Sequence, residues 1–361
     1  MKELGFLVTF IPNKIEPIHN WYWYKEGYSK RFVDLYLKRF GVTKDSIVLD
    51  PFCGVGTTLL ACKQSGISSV GFDVSPLCIF ASKVKTQDYD MESLEKYVKE
   101  ALKWKFQKPD QIPREKWLMR IFSKYALEDI VFFKRKISEI PDEKARDFLT
   151  LALIDSSMKS SYAYKDGAFV KVKKRSVPPI KKMFSYKMRR MLRDLREAKL
   201  APVPTRVEIA DARMLPLEDN SIDFVMTSPP YLNKIEYTNI YKTEYSLFFS
   251  MPETKLRSFI GERVEDSGDM PPVAEAYFND MKKVMQELYR VCKPGAKLAI
   301  VIGGGCFPEK VVEVDRILAN MSEEIGFKFI DMIVARENWC TRNRTIKVGS
   351  MRESIIILEK A

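Results

Sequence analysis

The sequence predicts an α/β fold, a doubly wound sheet with helices on both of its faces. Short apolar runs at Ile47–Asp50, 70–74, 206–210, Ile222–Thr227 and 297–302 alternate with stretches of helical periodicity. A glycine turn, Gly54-Val55-Gly56, follows the first run directly, where such folds bring backbone close to a ligand. The chain has 361 residues, 46% hydrophobic and 12% aromatic, enough to fill a sizeable core and to exclude global disorder.

Taken in order, Ser29 caps a helix over 30–40 that Gly41 ends. The first strand and its glycine turn lead to a helix over 57–64 with Gly66 beyond it; strand 70–74 leads to helix 75–85. A basic segment, 104–204, is mainly helical by spacing and breaks over 171–180, where a cationic run meets Pro178-Pro179. Phe278, Met281, Met285, Leu288 and Cys292 recur at helical steps, so a helix ends before Lys293-Pro294-Gly295. Strand 297–302, a helix near 308–325 stopped by Gly326, and strands 327–335 and 353–358 close the chain. The expected division is 1–103, 104–204 and 205–361, with no internal repeat or low-complexity tract.

Several function classes drop out. No apolar run approaches the ~20 residues that span a bilayer, and 2–10 lacks the apolar core of a secretory signal, so the expected address is the cytoplasm with no membrane partner. The six cysteines form no Cys-x-x-Cys pair, and the length of the chain argues against a disulfide framework. His19 is the single histidine, so structural zinc and Ser-His-Asp chemistry are excluded, and the expectation is no metal. His19 itself reads as structural.

Charge is concentrated. Residues 104–200 hold 25 Lys and Arg against 12 Asp and Glu, a net of +13, while the whole chain carries +12. Tyr162, Tyr164, Phe169, Phe184 and Tyr186 are interleaved there, which favours a polyanion partner over a merely solvated surface. Candidate nucleic-acid contacts are Lys171, Lys173, Lys174, Arg175, Lys181, Lys182, Arg189 and Arg190.

Two motifs carry chemistry. The first is Val48-Leu49-Asp50-Pro51-Phe52-Cys53-Gly54-Val55-Gly56-Thr57-Thr58. It lacks the third glycine of the dinucleotide fingerprint and the Gly-Lys-Thr of a P-loop. Asp73 closes the next strand, where a carboxylate can accept from two ribose hydroxyls. The second motif is Thr227-Ser228-Pro229-Pro230-Tyr231, placed just after a buried strand, unlike the pairs at 178–179 and 271–272. Its prolines fix the directions of the Ser228 hydroxyl and the neighbouring carbonyls, which can hold an amino group, and Tyr231 offers a face for a base.

Together these motifs resemble the amino-methyltransferases, S-adenosylmethionine enzymes that methylate exocyclic amines of nucleic-acid bases, over about 45–90 and 205–360 plus the helix at 29–40. The resemblance implies a Rossmann-like methyltransferase sheet, mostly parallel with an antiparallel C-terminal strand, and makes the basic helical segment an insert between a cofactor half and a catalytic half. It implies S-adenosylmethionine as cofactor, with Asp50, Phe52, Gly54 and Gly56 lining the methionine part, Asp73 at the ribose and Asp211 at the adenine amine. Pro51, Thr57, Val74 and Ala212 complete that set, and Lys25, in a 19–29 stretch whose wording departs from the commoner His-x-x-x-Lys-Pro form, is a carboxylate contact.

By the same resemblance Ser228, Pro229, Pro230 and Tyr231 are catalytic: Ser228 and the Pro229 carbonyl accept the amine hydrogens and aim its lone pair at the methyl donor. None of the cysteines follows a proline, which speaks against C5 chemistry, and serine before Pro-Pro points to cytosine N4. The chain looks like solitary archaeal members of the cytosine-N4 branch, among which a ribosomal RNA enzyme is known. Abundant Lys and Glu with scarce Gln suit a hyperthermophile. Structured RNA is therefore the expected substrate. A site-specific DNA methyltransferase (cytosine-N4 or adenine-N6), a small-molecule amine methyltransferase and a non-catalytic nucleic-acid-binding module stay open, and a monomer is compatible with all of them.

Overall fold

The computed structural model describes residues 2–166, 169–232, 237–250, 272–307, 310–342 and 346–361. Helix α1 (Lys2–Leu7) and two 3-10 turns, Ile11–Lys14 and His19–Trp21, lead into α2 (Lys30–Arg39), which the Ser29 side chain caps by accepting from the Phe32 N–H. Then β1 (Ile47–Asp50), α3 (Thr57–Ser65), β2 (Ser68–Asp73) and α4 (Pro76–Thr86) alternate as expected, with Gly66 left-handed after α3 and Ser75 capping α4. Helices α5 (Met91–Lys103), α6 (Lys116–Ile121), α7 (Lys124–Ser138) and α8 (Glu143–Lys159) follow. A hairpin of β3 (Ala163–Asp166) and β4 (Phe169–Val172) then interrupts the helices before α9 (Ile180–Glu197). The sequence reading did not anticipate that hairpin.

Next come β5 (Thr205–Ile209), β6 (Ile222–Thr227), α10 (Tyr237–Ile240), α11 (Lys242–Phe248) and α12 (Pro272–Val291). The chain closes with β7 (Cys292–Gly303), β8 (Gly305–Cys306), β9 (Val311–Val312), α13 (Val314–Ile325), β10 (Phe327–Arg342) and β11 (Ile346–Lys360). Helix α13 starts later than the expected 308, and residues 308 and 271 lie outside the described residues. The two last strands are far longer than 327–335 and 353–358.

Seven strands form one sheet in the order β10-β11-β7-β6-β1-β2-β5. The β5-β2-β1-β6-β7 block is parallel, and β11 runs antiparallel to both β7 and β10. The chain winds outward from β1 to β5, then returns to build β6 and β7 on the other side of β1. The switch point therefore lies between the carboxyl ends of β1 and β6, where open α/β sheets bind ligands.

Strand alternation sorts the core. Phe224, Met226, Ala299, Val301, Ile355 and Ile357 face one side with Phe32, Val33 and Tyr36 of α2. Val225, Leu298, Ile300, Ile302, Ile356 and Leu358 face the other with α12 and α13. The third cluster joins α6, α7, α8 and α9 to α4, α5 and the N-terminal residues Phe10, Ile18, Trp21 and Tyr22. Segment 104–204 thus has no core of its own. Asp194 of α9 accepts from the Trp21 indole at 2.9 Å and from the Ile18 backbone at 3.5 Å, and Lys187 reaches the Asn20 carbonyl at 3.3 Å. These bonds hold Ile18 at a φ of 63°, a strained value for a β-branched residue.

The cysteine reading needs a correction, because Cys306 of β8 and Cys340 of β10 form a disulfide. Their Cα atoms stand 5.6 Å apart although they lie 34 residues apart in the chain, a proximity that spacing in sequence does not reveal. Cys53, Cys62, Cys78 and Cys292 are buried thiols.

One steric constraint is testable. A Cβ on Gly71 of β2 would stand 2.9 Å from the Cys53 Cβ and 2.4 Å from a Leu59 methyl, beneath the glycine turn. Gly71→Ala should destabilise the fold by about 1–3 kcal/mol, the usual cost of overpacking, as read from the denaturant midpoint.

Candidate active site

The carboxyl ends of β1, β2 and β6 open on one pocket. Of the residues expected around a cofactor, Asp50, Pro51, Phe52, Gly54, Thr57, Asp73, Val74, Asp211 and Ala212 all line it. Gly56 does not reach the wall. It holds a φ of 78° and lies so close to Ser82 that a Cβ would be 2.9 Å from that hydroxyl, so it serves the packing of the turn on α4. Gly54, at a φ of 49°, donates its N–H to Asp73 Oδ2 at 3.0 Å.

Asp50 also ties the walls of the pocket together. Its buried carboxylate accepts from Thr58 Oγ1 at 2.7 Å, Tyr28 Oη at 3.0 Å, Thr227 Oγ1 at 2.7 Å and the Phe52 N–H at 3.2 Å. A carboxylate has about four acceptor positions, so these donors use its capacity on the fold. Burial raises the Asp50 pKa, and the hydrogen bonds from Thr227, Thr58 and Tyr28 oppose that rise. Asp73 is different. It accepts from the Ser75 N–H at 2.8 Å and from Gly54, leaving acceptor positions toward the pocket, and burial pushes its carboxyl up to about 6. Asp211 is gripped by the Arg213 guanidinium at 2.6 Å, and Arg213 also reaches Asp280 at 3.0 Å.

The 19–29 stretch does flank this pocket, through residues other than Lys25. Tyr24, Glu26, Gly27 and Tyr28 line it, with Tyr24 stacked on Tyr241 at 5.3 Å. Glu26 Oε2 accepts from the Tyr241 hydroxyl at 2.5 Å, while Oε1 is buried and has no hydrogen-bond partner among the described residues. Lys25 instead borders a second, adjoining cavity, with its Nζ 3.8 Å from Glu26 Oε1. His19 is structural, as expected: it is buried, bonded to Gln64 at 3.2 Å, and burial drives its pKa down to about 3. Buried Lys85 ties the His19 and Val55 carbonyls together at 3.3 and 3.1 Å.

The turn 228–231, expected to be catalytic, divides the two cavities. Pro230 faces the first, Pro229 and Tyr231 face the second, and Ser228 borders both. The Tyr231 hydroxyl donates to Glu353 Oε1 at 2.5 Å, and the other Glu353 oxygen accepts from Arg336. Burial and Glu353 raise the Tyr231 pKa, so it stays a phenol. One side of its ring packs on Gly303, where a Cβ would come within 2.6 Å. The Tyr277 hydroxyl donates to the Pro230 carbonyl at 2.9 Å. Phe10, Trp23, Arg336 and Glu353 also line the second cavity. Sequence reading missed Glu26, Tyr28, Trp23, Arg336 and Glu353; the aromatic density of 19–29 was the available signal for the first three.

The basic candidates divide by exposure. Lys173, Lys174, Arg175, Lys181, Lys182 and Arg189 are exposed, whereas Lys171 and Arg190 are half-buried. Lys187, counted in the same cationic block, is buried on Asp155 at 2.9 Å. The β3–β4 hairpin is tied toward the site by Lys165, which bonds Glu244 at 3.1 Å and lies 3.5 Å from the centre of the Tyr241 ring. Among the described residues no group of acidic, cysteine or histidine side chains could hold a metal ion, and no helix is long and apolar enough to cross a membrane.

Comparison with known proteins agrees with this geometry. A family model described as DNA methylase matches residues 28–81 and 222–361, more than half the chain. The Type II methyltransferase M.BsoBI of Geobacillus stearothermophilus is 25% identical over 98% of this chain and 88% of its own length. The Type II methyltransferase M.AvaI of Anabaena variabilis is 25% identical over 91% of this chain and 83% of its own. A solved SAM-dependent methyltransferase from Methanosarcina mazei aligns over 90% of this chain and 96% of that one at 11% identity, with a TM-score of 0.37. Neither the family description nor these relatives' names speak for the expected RNA substrate. The matched blocks hold Tyr28, β1, β2 and the glycine turn on one side and β6 with Ser228 on the other, the walls that meet between the cavities. This chain belongs to the DNA methylase family, as an S-adenosylmethionine-dependent N-methyltransferase of the type II N4/N6 kind.

Proposed function

We propose that the enzyme methylates the exocyclic N4 amine of cytosine in DNA. The observation that carries this reading is the position of Ser228, which borders both a pocket suited to a nucleoside-like cofactor and a second cavity walled by aromatic and charged side chains. The family and the type II relatives favour DNA over the RNA expected from sequence.

The pocket residues fit S-adenosylmethionine. The buried Glu26 Oε1, which has the Lys25 ammonium 3.8 Å away but no hydrogen-bond partner among the described residues, suits the ammonium of the methionine part. Asp73 has acceptor positions for the ribose hydroxyls, and Phe52, Val74 and Ala212 give apolar surface to a purine. When bound, the cofactor supplies an electrophilic methyl group. The chain supplies orientation: Ser228 Oγ and the Pro229 carbonyl accept the two amine hydrogens, which draws the nitrogen lone pair out of the ring and aims it across the turn. Tyr231, fixed by Glu353 and Gly303, packs against the base in the second cavity. The exposed cations of segment 104–204 hold phosphates.

The direct test is nucleoside mass spectrometry of duplex DNA and ribosomal RNA after incubation with isotope-labelled cofactor. N4-methylcytosine in the DNA digest is expected; label confined to RNA would refute the substrate assignment. Cofactor affinity should fall as pH drops through about 6, because protonation removes the negative charge of Asp73. Asp73→Ala should weaken binding by about 1.5–3 kcal/mol above that pH and flatten the profile, as titration calorimetry would record. Ser228→Ala should retain fold and cofactor affinity yet slow single-turnover methyl transfer about 10²–10³-fold.

A further inference from the structure

Strand β7 stops at Gly303, opposite Glu353. Beyond that rung β10 and β11 continue to pair with each other, from Arg336↔Glu353 out to Arg342↔Ile346. The result is a two-stranded ribbon that starts at the wall of the second cavity, since Arg336 and Glu353 line that cavity and Glu353 holds Tyr231.

The ribbon is braced on one side. Cys340 is bonded to Cys306, Arg352 pairs with Asp315 at 3.0 Å, and Gly349 lies so close to Val311 that a Cβ would be 3.0 Å from it. Elsewhere it is open. Trp339 is 60% exposed and Ile346 57%, and Asn338, Thr341, Lys347 and Ser350 are exposed as well. The Lys347 ammonium sits 4.1 Å from the centre of the Trp339 ring. In sequence, 336–352 carries five Lys and Arg against one Glu. A ribbon exists to pair backbone, and pairing alone does not call for an exposed tryptophan under a lysine beside groups that both donate and accept hydrogen bonds.

We propose that this ribbon is the arm that reads the DNA flanking the target cytosine, lying in a groove of the duplex while the base occupies the second cavity. It rests on the assignment of DNA as substrate. A two-stranded ribbon fits the major groove, and its amide and hydroxyl side chains can discriminate base edges. The exposed cations of 104–204 offer mainly phosphate contacts, which position a duplex and carry no sequence information. Division of labour follows: the insert grips, and the ribbon reads.

The test uses the full-length enzyme and a duplex library randomised around its cytosines, with methylated products sequenced, and with duplex affinity and cofactor affinity measured in parallel. Trp339→Ala combined with Lys347→Ala, and separately Asn338→Ala, should leave the thermal midpoint and cofactor affinity unchanged. The double variant should lose about 10-fold or more in duplex affinity, and both variants should methylate cytosines in flanking contexts the wild type rejects. Wild-type affinity with an unchanged flanking preference would overturn the proposal while leaving the DNA assignment standing. A wild-type enzyme that labels no duplex in the library would overturn both.

Discussion

Four donors converge on the Asp50 carboxylate, and the arrangement of the active site depends on that convergence. Thr58 belongs to the first turn of α3, Thr227 is the last residue of β6, Phe52 sits in the glycine turn and Tyr28 comes from the N-terminal stretch. One buried acid thus fixes, relative to one another, the turn that shapes the cofactor pocket and the residue preceding Ser228. An unsatisfied member of such a network would leave a desolvated polar group in the interior, costing about 1–3 kcal/mol. The geometry is therefore held by a requirement for complete pairing, and Tyr28, which also lies 3.2 Å from the Met226 carbonyl, closes it.

Local signals in the sequence were read correctly where one residue decides the backbone. Ser29 caps its helix, Gly66 and Gly326 end theirs, and the apolar runs of β1 and β6 are buried strands. The β3–β4 hairpin escaped because Lys165, Lys171 and the cations after it drown a four-residue alternation, although Asp166-Gly167 is a hairpin dipeptide. The first of the two last strands was ended too early, at 335, and the second begun too late, at 353, because the polar residues between them hide pairing that does not depend on a core.

Part of the site was legible for the same reason. The pocket residues taken from contiguous motifs fall on the wall, with Gly56 as the exception, because a strand, a turn and a helix start place neighbours in sequence together in space. Glu353 and Arg336 could not be found that way, since they lie more than 100 residues from the catalytic turn and reach it only through the order of strands in the sheet. Glu26 shows a subtler failure. The right stretch was chosen, but the choice of Lys25 followed a motif written for other sequences; Lys25 borders the adjoining cavity, while Tyr24, Glu26 and Tyr28 line the first.

Helix α9 has two faces with different duties. Its exposed face carries Lys181, Lys182 and Arg189, while its buried face sends Asp194 to Trp21 and Ile18 and Lys187 to Asn20, in the stretch that continues into Tyr24 and Glu26. On the proposed function, a polyanion on one face and a cofactor beside the other would both act through this helix. Thermodynamic reciprocity then sets the rule: whatever factor the polyanion applies to cofactor affinity through that helix, the cofactor applies to the polyanion. A helix that belongs by sequence to the basic segment would then be, in energetic terms, common property of both ligands.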